Sequence, residues 1–249
     1  MLEVSRLSLG FGGIRALQDV DLAVAEGETL AVIGPNGSGK TSLFNCITGL
    51  YTPSAGSIRF RGTPVLGRSP DAVTRLGIAR TFQNLRLFPN LSVLDNVLVG
   101  RHLHFRKNFL AAALRLRGEE IRHRRRCEEI LAFLDLEPVR KSRVADCAFG
   151  VQKRVELGRA LATEPRLLLL DEPVSGLTQE EKEEFAYWIH EIRGRFAMTV
   201  LLVEHDLRLA SRLASRMVAL DHGVKIAEGA PADVQRHPEV IRAYLGDDG

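Results

Sequence analysis

The sequence predicts an α/β fold: a mostly parallel sheet with helices on both faces, an antiparallel β segment, and an inserted helical subdomain. Three observations predict it. Short apolar runs at 29–33, 166–170 and 199–203 alternate with segments of helical spacing, the signature of a parallel sheet. Residues 2–24 alternate apolar and polar, as paired antiparallel strands do. From about residue 91 to 148 the texture is helical, with Val93, Leu94, Val97 and Leu98, then Ile130, Leu131, Phe133 and Leu134, recurring on one face. The chain is expected to be one domain, with its α/β core at about 1–83 and 155–249 and the helical subdomain at about 84–154.

In the first segment, Gly10, Gly12 and Gly13 punctuate the alternation and predict a turn. Phe11 sits in that turn, where a lone aromatic is more often core than ligand contact. Thr29–Ile33 then reads as a buried strand running into Gly34-Pro35-Asn36-Gly37-Ser38-Gly39-Lys40-Thr41. This stretch fits G-x-x-x-x-G-K-[ST] without mismatch. From Ser42 on, Leu43, Phe44 and Ile47 hold helical spacing, and the helix stops at Gly49 with Pro53 beyond.

Strand, glycine loop and helix form the context that the motif needs. The glycines let successive N–H groups point inward, and the following helix adds its positive dipole end, so a polyphosphate is held largely by backbone. Lys40 adds a point charge for the terminal phosphate oxygens, and the Thr41 hydroxyl can ligate Mg²⁺.

Residues 57–62 read as another strand, and 78–82 lead to Gln83. A basic run at 115–126 contains Glu119 and Glu120 and precedes Glu128 and Glu129. Such a run usually marks a solvated helix face, and the interleaved acids dilute a nucleic-acid or anionic-lipid patch. The leucine strand 167–170 ends in Asp171-Glu172, at the sheet edge where a phosphate-loop enzyme holds magnesium through water. Thr178 and Glu181 have capping-box spacing, followed by an apolar face of Phe185, Trp188, Ile189, Ile192 and Phe196. Strand 199–203 delivers Glu204-His205-Asp206, and residues 217–227 read as a hairpin about Asp221-His222-Gly223.

Composition excludes several classes. The 249 residues, 45% of them hydrophobic, suffice for a sizeable core. Cys46, Cys127 and Cys147 are too few and too irregular for a disulfide framework or a zinc site, which suits a reduced, cytoplasmic protein. No apolar run approaches a membrane span, and the N-terminus lacks the layout of a signal peptide. If the protein serves a membrane, another chain spans it. A net charge of +3 does not point to nucleic acid.

The ordered set of elements resembles the ATP-binding-cassette ATPases over essentially the whole chain. The set comprises the phosphate loop, Gln83 after a strand, a helical segment, Gly150 followed by Gln152-Lys153-Arg154-Val155-Glu156-Leu157-Gly158-Arg159-Ala160-Leu161, Asp171-Glu172, and His205. The stretches 11–17, 80–88 and 241–246 look like the subfamily serving branched-chain amino acid importers. The resemblance implies that Phe11 stacks on adenine and that Gln83 reaches Mg²⁺ and the attacking water. It further implies that Asp171 holds Mg²⁺ in its outer shell, that Glu172 is the general base or water-orienter, and that His205 contacts the γ-phosphate.

Two cassettes of this family dimerise head to tail, so Gly150 would face a nucleotide held by the partner. The resemblance thus implies ATP and Mg²⁺ as cofactors, with a second ATPase subunit, two transmembrane permeases and, indirectly, a periplasmic binding protein as partners. The chain would lie peripherally on the cytoplasmic face of the inner membrane. Leu85, Leu87 and Phe88 would meet a permease helix, or else pack in the core. Urea or short amides are the alternative cargo, and a soluble non-transport member of the family the alternative role.

Two positions depart from the family pattern. Its signature Leu-Ser-Gly-Gly-Gln stands here as Cys147-Ala148-Phe149-Gly150-Val151, so Ala148 has no hydroxyl for a phosphate. Thr178 replaces the usual Asp after Ser175-Gly176-Leu177. These departures imply that the site built on this chain's signature is the weaker of a pair.

Overall fold

The computed structural model describes residues 1–105 and 118–245. The chain divides into two compact units: Met1–Arg80, Arg166–Pro173 and Ala186–Gly249 form the first, Thr81–Pro165 and Val174–Phe185 the second.

The first unit contains two sheets. In the antiparallel one, β1 (Leu2–Phe11) pairs with β2 (Ile14–Val24) across the turn at Gly12-Gly13. Leu2, Val4, Leu7 and Leu9 of β1 are buried, so the alternation read from the sequence is a half-buried strand. The larger sheet contains β3 (Thr29–Ile33), and β4 (Ala55–Phe60) and β5 (Thr63–Pro64) complete the smaller one in the order β2-β1-β4-β5.

Besides β3, the larger sheet comprises β6 (Ile78–Arg80), β7 (Leu167–Asp171), β8 (Thr199–Val203), β9 (Arg216–Asp221) and β10 (Val224–Gly229). Its order is β10-β9-β3-β8-β7-β6. Every pairing is parallel except the β9–β10 hairpin, as the sequence predicts. All residues of β3, β7 and β8 are buried, which is why they carry continuous apolar runs. Each buried leucine of β7 contributes about 1.5–3 kcal/mol relative to exposure. Among the described helices, α1 (Lys40–Ile47) packs on β7.

After α2 (Pro70–Arg75), the second unit packs α3 (Val93–Val99), α4 (Gly118–Phe133) and α5 (Phe149–Ala162) against one another. The Ser92 hydroxyl caps α3 by accepting from the Asp95 N–H at 3.0 Å. Helix α6 (Gln179–Phe196) starts with the expected reciprocal box: the Thr178 N–H donates to Glu181 Oε2 at 2.9 Å, and the Glu181 N–H to Thr178 Oγ1 at 3.3 Å.

On α4, Arg122, Arg124 and Arg125 are exposed, and the last two pair with Glu128 and Glu129 one turn on. His123 departs from the expected solvated face: it is buried and accepts from Arg101 Nε at 3.2 Å. Residues 115–117 of the basic run lie outside the described residues.

Candidate functional site

Register decides what meets at the edge of the parallel sheet. Val32 of β3 and Asp171 of β7 are both paired with Val203 of β8. The residues that follow these strands therefore leave the sheet side by side: the glycine loop, Glu172, and Glu204-His205. This is the carboxyl edge, where open α/β sheets bind ligands.

The loop leaves β3 through Gly34 at φ 148° and enters α1 through Gly39 at φ 104°. A Cβ would fit at neither position. It would lie 2.1 Å from the Leu220 carbonyl oxygen at Gly34 and 2.6 Å from that of Ala16 at Gly39. Neighbouring segments grip the loop further, for the Gly223 N–H donates to the Ser38 carbonyl at 3.1 Å. Lys40 is 5% exposed and folds its ammonium onto the loop. It donates to the Gly34 and Pro35 carbonyls at 2.7 and 2.8 Å and to Ser38 Oγ at 3.3 Å. Burial pulls its pKa below the ordinary lysine value, while the carboxylates of Glu172, Asp171 and Glu204 pull it back up.

Asp171 is buried at the end of β7, and its Oδ2 accepts from Arg80 at 2.6 Å. The sequence reading assigned Arg80 no role. Standing at the end of β6, it also donates to Asn45 Oδ1 of α1 at 2.7 Å, so one guanidinium ties the acidic strand to the helix after the loop. A cation closing one strand, beside a strand that closes in acid, is the pairing that gives it a role, and it shows only once β6 is placed next to β7. With side chains 5% and 3% exposed, this is a buried pair. Replacing Arg80 with Met would strand the carboxylate, and chemical denaturation is expected to show a loss of about 3–5 kcal/mol. A loss below about 1 kcal/mol would mean that the pair is effectively solvated.

Glu172 holds a left-handed backbone, φ 45°, unusual for a residue with a side chain. Its N–H donates to the Val203 carbonyl at 2.9 Å, which anchors that conformation to β8. The carboxylate stands 3.7 Å from His205 Nδ1, while the His205 side chain is half exposed. His205 just precedes α7 (Leu207–Leu213), whose N-cap Asp206 accepts from the N–H groups of Arg208 and Leu209. A carboxylate and an imidazole at one edge can accept a proton from water and hydrogen-bond a phosphate oxygen.

Phe11 is 48% exposed at the tip of the β1–β2 hairpin and lies edge-on to Tyr51, with ring centroids 5.2 Å apart. The core reading of this residue therefore fails, because its strand ends in open solvent. A half-exposed ring with one aromatic neighbour keeps a face available for stacking.

Gln83 and Gly150 belong to the second unit. Gln83 is exposed and its carbonyl accepts from Lys153 Nζ at 3.2 Å. The adjacent Phe82 N–H donates to Glu156, whose pKa burial pushes up. Helix α5 begins without a side-chain cap at Ala148, so the missing hydroxyl is not replaced locally. At Gly150 a Cβ would lie 2.4 Å from Glu181 Oε1, so any larger residue there must displace the Glu181 side chain. Leu85 and Leu87 are half-buried, and Phe88 is 49% exposed. Among the described residues no cluster of His, Cys, Asp and Glu could hold a metal ion by itself.

Comparison with known proteins bears on this geometry. The family model for ABC transporters matches residues 17–175, and that for branched-chain amino acid ATP-binding cassette transporters matches residues 224–249. The high-affinity branched-chain amino acid transport ATP-binding protein BraF of Pseudomonas aeruginosa is 38% identical over 250 residues, covering 99% of this chain and 98% of its own. An ATP-binding cassette of an ABC transporter, crystallised in its ADP conformation, superposes with a TM-score of 0.88 at 28% identity and 99% coverage of both chains. A dimeric cassette in a post-hydrolysis state, bound to ADP and Pi, gives 0.78 at 27% identity, covering 93% of this chain and 99% of the other.

Proposed function

Because this chain belongs to the ABC transporter family, we propose that it is the ATP-hydrolysing subunit of an importer whose cargo is branched-chain amino acids. The observation that carries the cargo is the match of residues 224–249 to the branched-chain cassettes, together with the end-to-end likeness to BraF. Among the described residues no helix is long and apolar enough to cross a membrane. Separate permease subunits therefore form the path, and this chain docks on their cytoplasmic face, at the inner membrane. Leu85, Leu87 and Phe88 supply apolar contact for a permease helix, while a periplasmic binding protein selects the cargo. A second cassette completes the assembly.

Gly34 and Pro35 open the loop, its amides from Asn36 to Gly39 hold the phosphates together with Lys40 and Ser42, and Phe11 stacks on the adenine. The oxygens of Thr41 and Asp171 fit magnesium, a hard cation; Asp171 Oδ1 accepts no hydrogen bond among the described residues, and Gln83 adds a carbonyl donor. When bound, magnesium spreads the charge of the phosphates.

Hydrolysis needs little covalent chemistry from the protein. Glu172 orients a water and takes its proton. The water oxygen bonds to the γ-phosphorus while the bond to the bridging oxygen breaks, leaving ADP and phosphate. Lys40 and His205 stabilise the charge on the oxygens. Gly150 and the start of α5 face the nucleotide held by the partner cassette.

Uptake of radiolabelled leucine, isoleucine and valine by cells lacking this chain tests the cargo. Wild-type chain is expected to restore uptake, and Lys40→Ala to leave it at background. Restoration of urea or amide uptake instead would reassign it.

A further inference from the structure

We infer that Tyr244 is a positioning residue for nucleotide binding: its hydroxyl, carried by the C-terminal helix, braces the first peptide of the phosphate loop. This rests on the reading of the loop as the ATP site and extends it to a residue outside every motif that touches nucleotide.

The geometry is direct. The Gly34 N–H donates to Tyr244 Oη at 2.8 Å, a bond that reaches across 210 positions of sequence. At φ 148° the Gly34 peptide has swung out of the β3 ladder, so its amide needs a partner other than a strand. The space around that peptide is full, since the Leu220 carbonyl and the Ser38 side chain crowd the glycine Cα.

Two short helices, α8 (Pro231–Arg236) and α9 (Pro238–Leu245), bring the tyrosine there. Val240, 1% exposed, and Tyr244 are four residues apart and share a helix face. Burial pushes the phenol pKa up to about 12, so it is a neutral hydroxyl at any physiological pH. Pro35–Ser38 of the loop and Glu239, Arg242 and Ala243 of α9 line one cavity of about 490 Å³.

The consequence concerns Lys40. Gly34 is held on both sides, its N–H by Tyr244 and its carbonyl by the Lys40 ammonium. A bound polyphosphate draws that ammonium onto its own oxygens, and the carbonyl end is released. The N–H end, held by Tyr244, then keeps the loop in its anion-ready shape. Without it, binding must also order the loop, and affinity falls.

Calorimetric titration of the full chain with ATP and magnesium tests this, using Tyr244→Phe, which removes one oxygen, and Val240→Ala, which loosens the same helix without touching Gly34. Tyr244→Phe is expected to raise the Kd about 5- to 30-fold, while Val240→Ala lowers the melting temperature with less than a threefold change in Kd. A Kd in Tyr244→Phe equal to that of wild type would overturn the role of the hydroxyl. If wild type itself binds no ATP, the reading beneath it falls as well. Amide hydrogen exchange of wild type provides a readout that does not depend on the variants folding. The Gly34 N–H is expected to exchange at least tenfold more slowly than the exposed Asn36 and Gly37, and equal rates would overturn the brace.

Discussion

Replacing Glu172 with Gln is expected to lower ATP turnover by about 10²- to 10⁴-fold, the range that a positioned general base supplies, while leaving ATP bound. The amide is the same size as the carboxyl and keeps the hydrogen-bonding shape of the end of β7, but it cannot take a proton from water. The backbone asks nothing new of the substitute, because the left-handed turn at 172 is held by the Val203 carbonyl rather than by the side chain. Removing one negative charge beside the loop also removes a repulsion that the triphosphate would meet there. Steady-state phosphate release and nucleotide retention on the purified complex measure the two halves of the expectation. Turnover within threefold of wild type would remove Glu172 from the chemistry.

Lys40→Met is expected to give the opposite split, with ATP binding itself lost. Two charge-assisted contacts to phosphate oxygens, at about 1.5–3 kcal/mol each, correspond to a fall in affinity of about 10²-fold or more. The fold should tolerate the change. Met fills most of the volume of the lysine stem, a desolvated charge is removed, and the Pro35 carbonyl lies near enough to the surface to take water in place of the ammonium. Calorimetry on the variant, paired with thermal unfolding, separates lost affinity from lost structure. Equal ATP affinity in the two proteins would mean that the buried ammonium is a structural cap on the loop and nothing more.

Much of this site was legible in the sequence because its signals are local. The loop is written in eight consecutive residues, and Asp171-Glu172 stands at the end of a run of leucines whose burial is read from composition alone. Parallel pairing then makes the distant meeting of Lys40, Glu172 and His205 a matter of strand order. What stayed hidden depends on contacts that no spacing encodes. Arg80 is one cation among many until β6 is known to close beside β7. Tyr244 lies in the stretch 241–246, which pointed only to a subfamily, and its use becomes visible only when the Gly34 amide is found turned toward it. Phe11 was misjudged for a related reason, since alternation predicts which face a residue takes but not that the hairpin tip runs past the core. His123 reversed the expectation for its helix because Arg101, far off in sequence, gives it a buried partner.

The most direct test of the central claim is a crystal structure of the Glu172→Gln chain with ATP and magnesium. The triphosphate is expected to lie along the amides from Asn36 to Gly39, with Lys40 Nζ moved from the Gly34 and Pro35 carbonyls onto phosphate oxygens and residue 172 facing the γ-phosphorus. A nucleotide bound elsewhere, with Lys40 still folded onto those carbonyls, would contradict it.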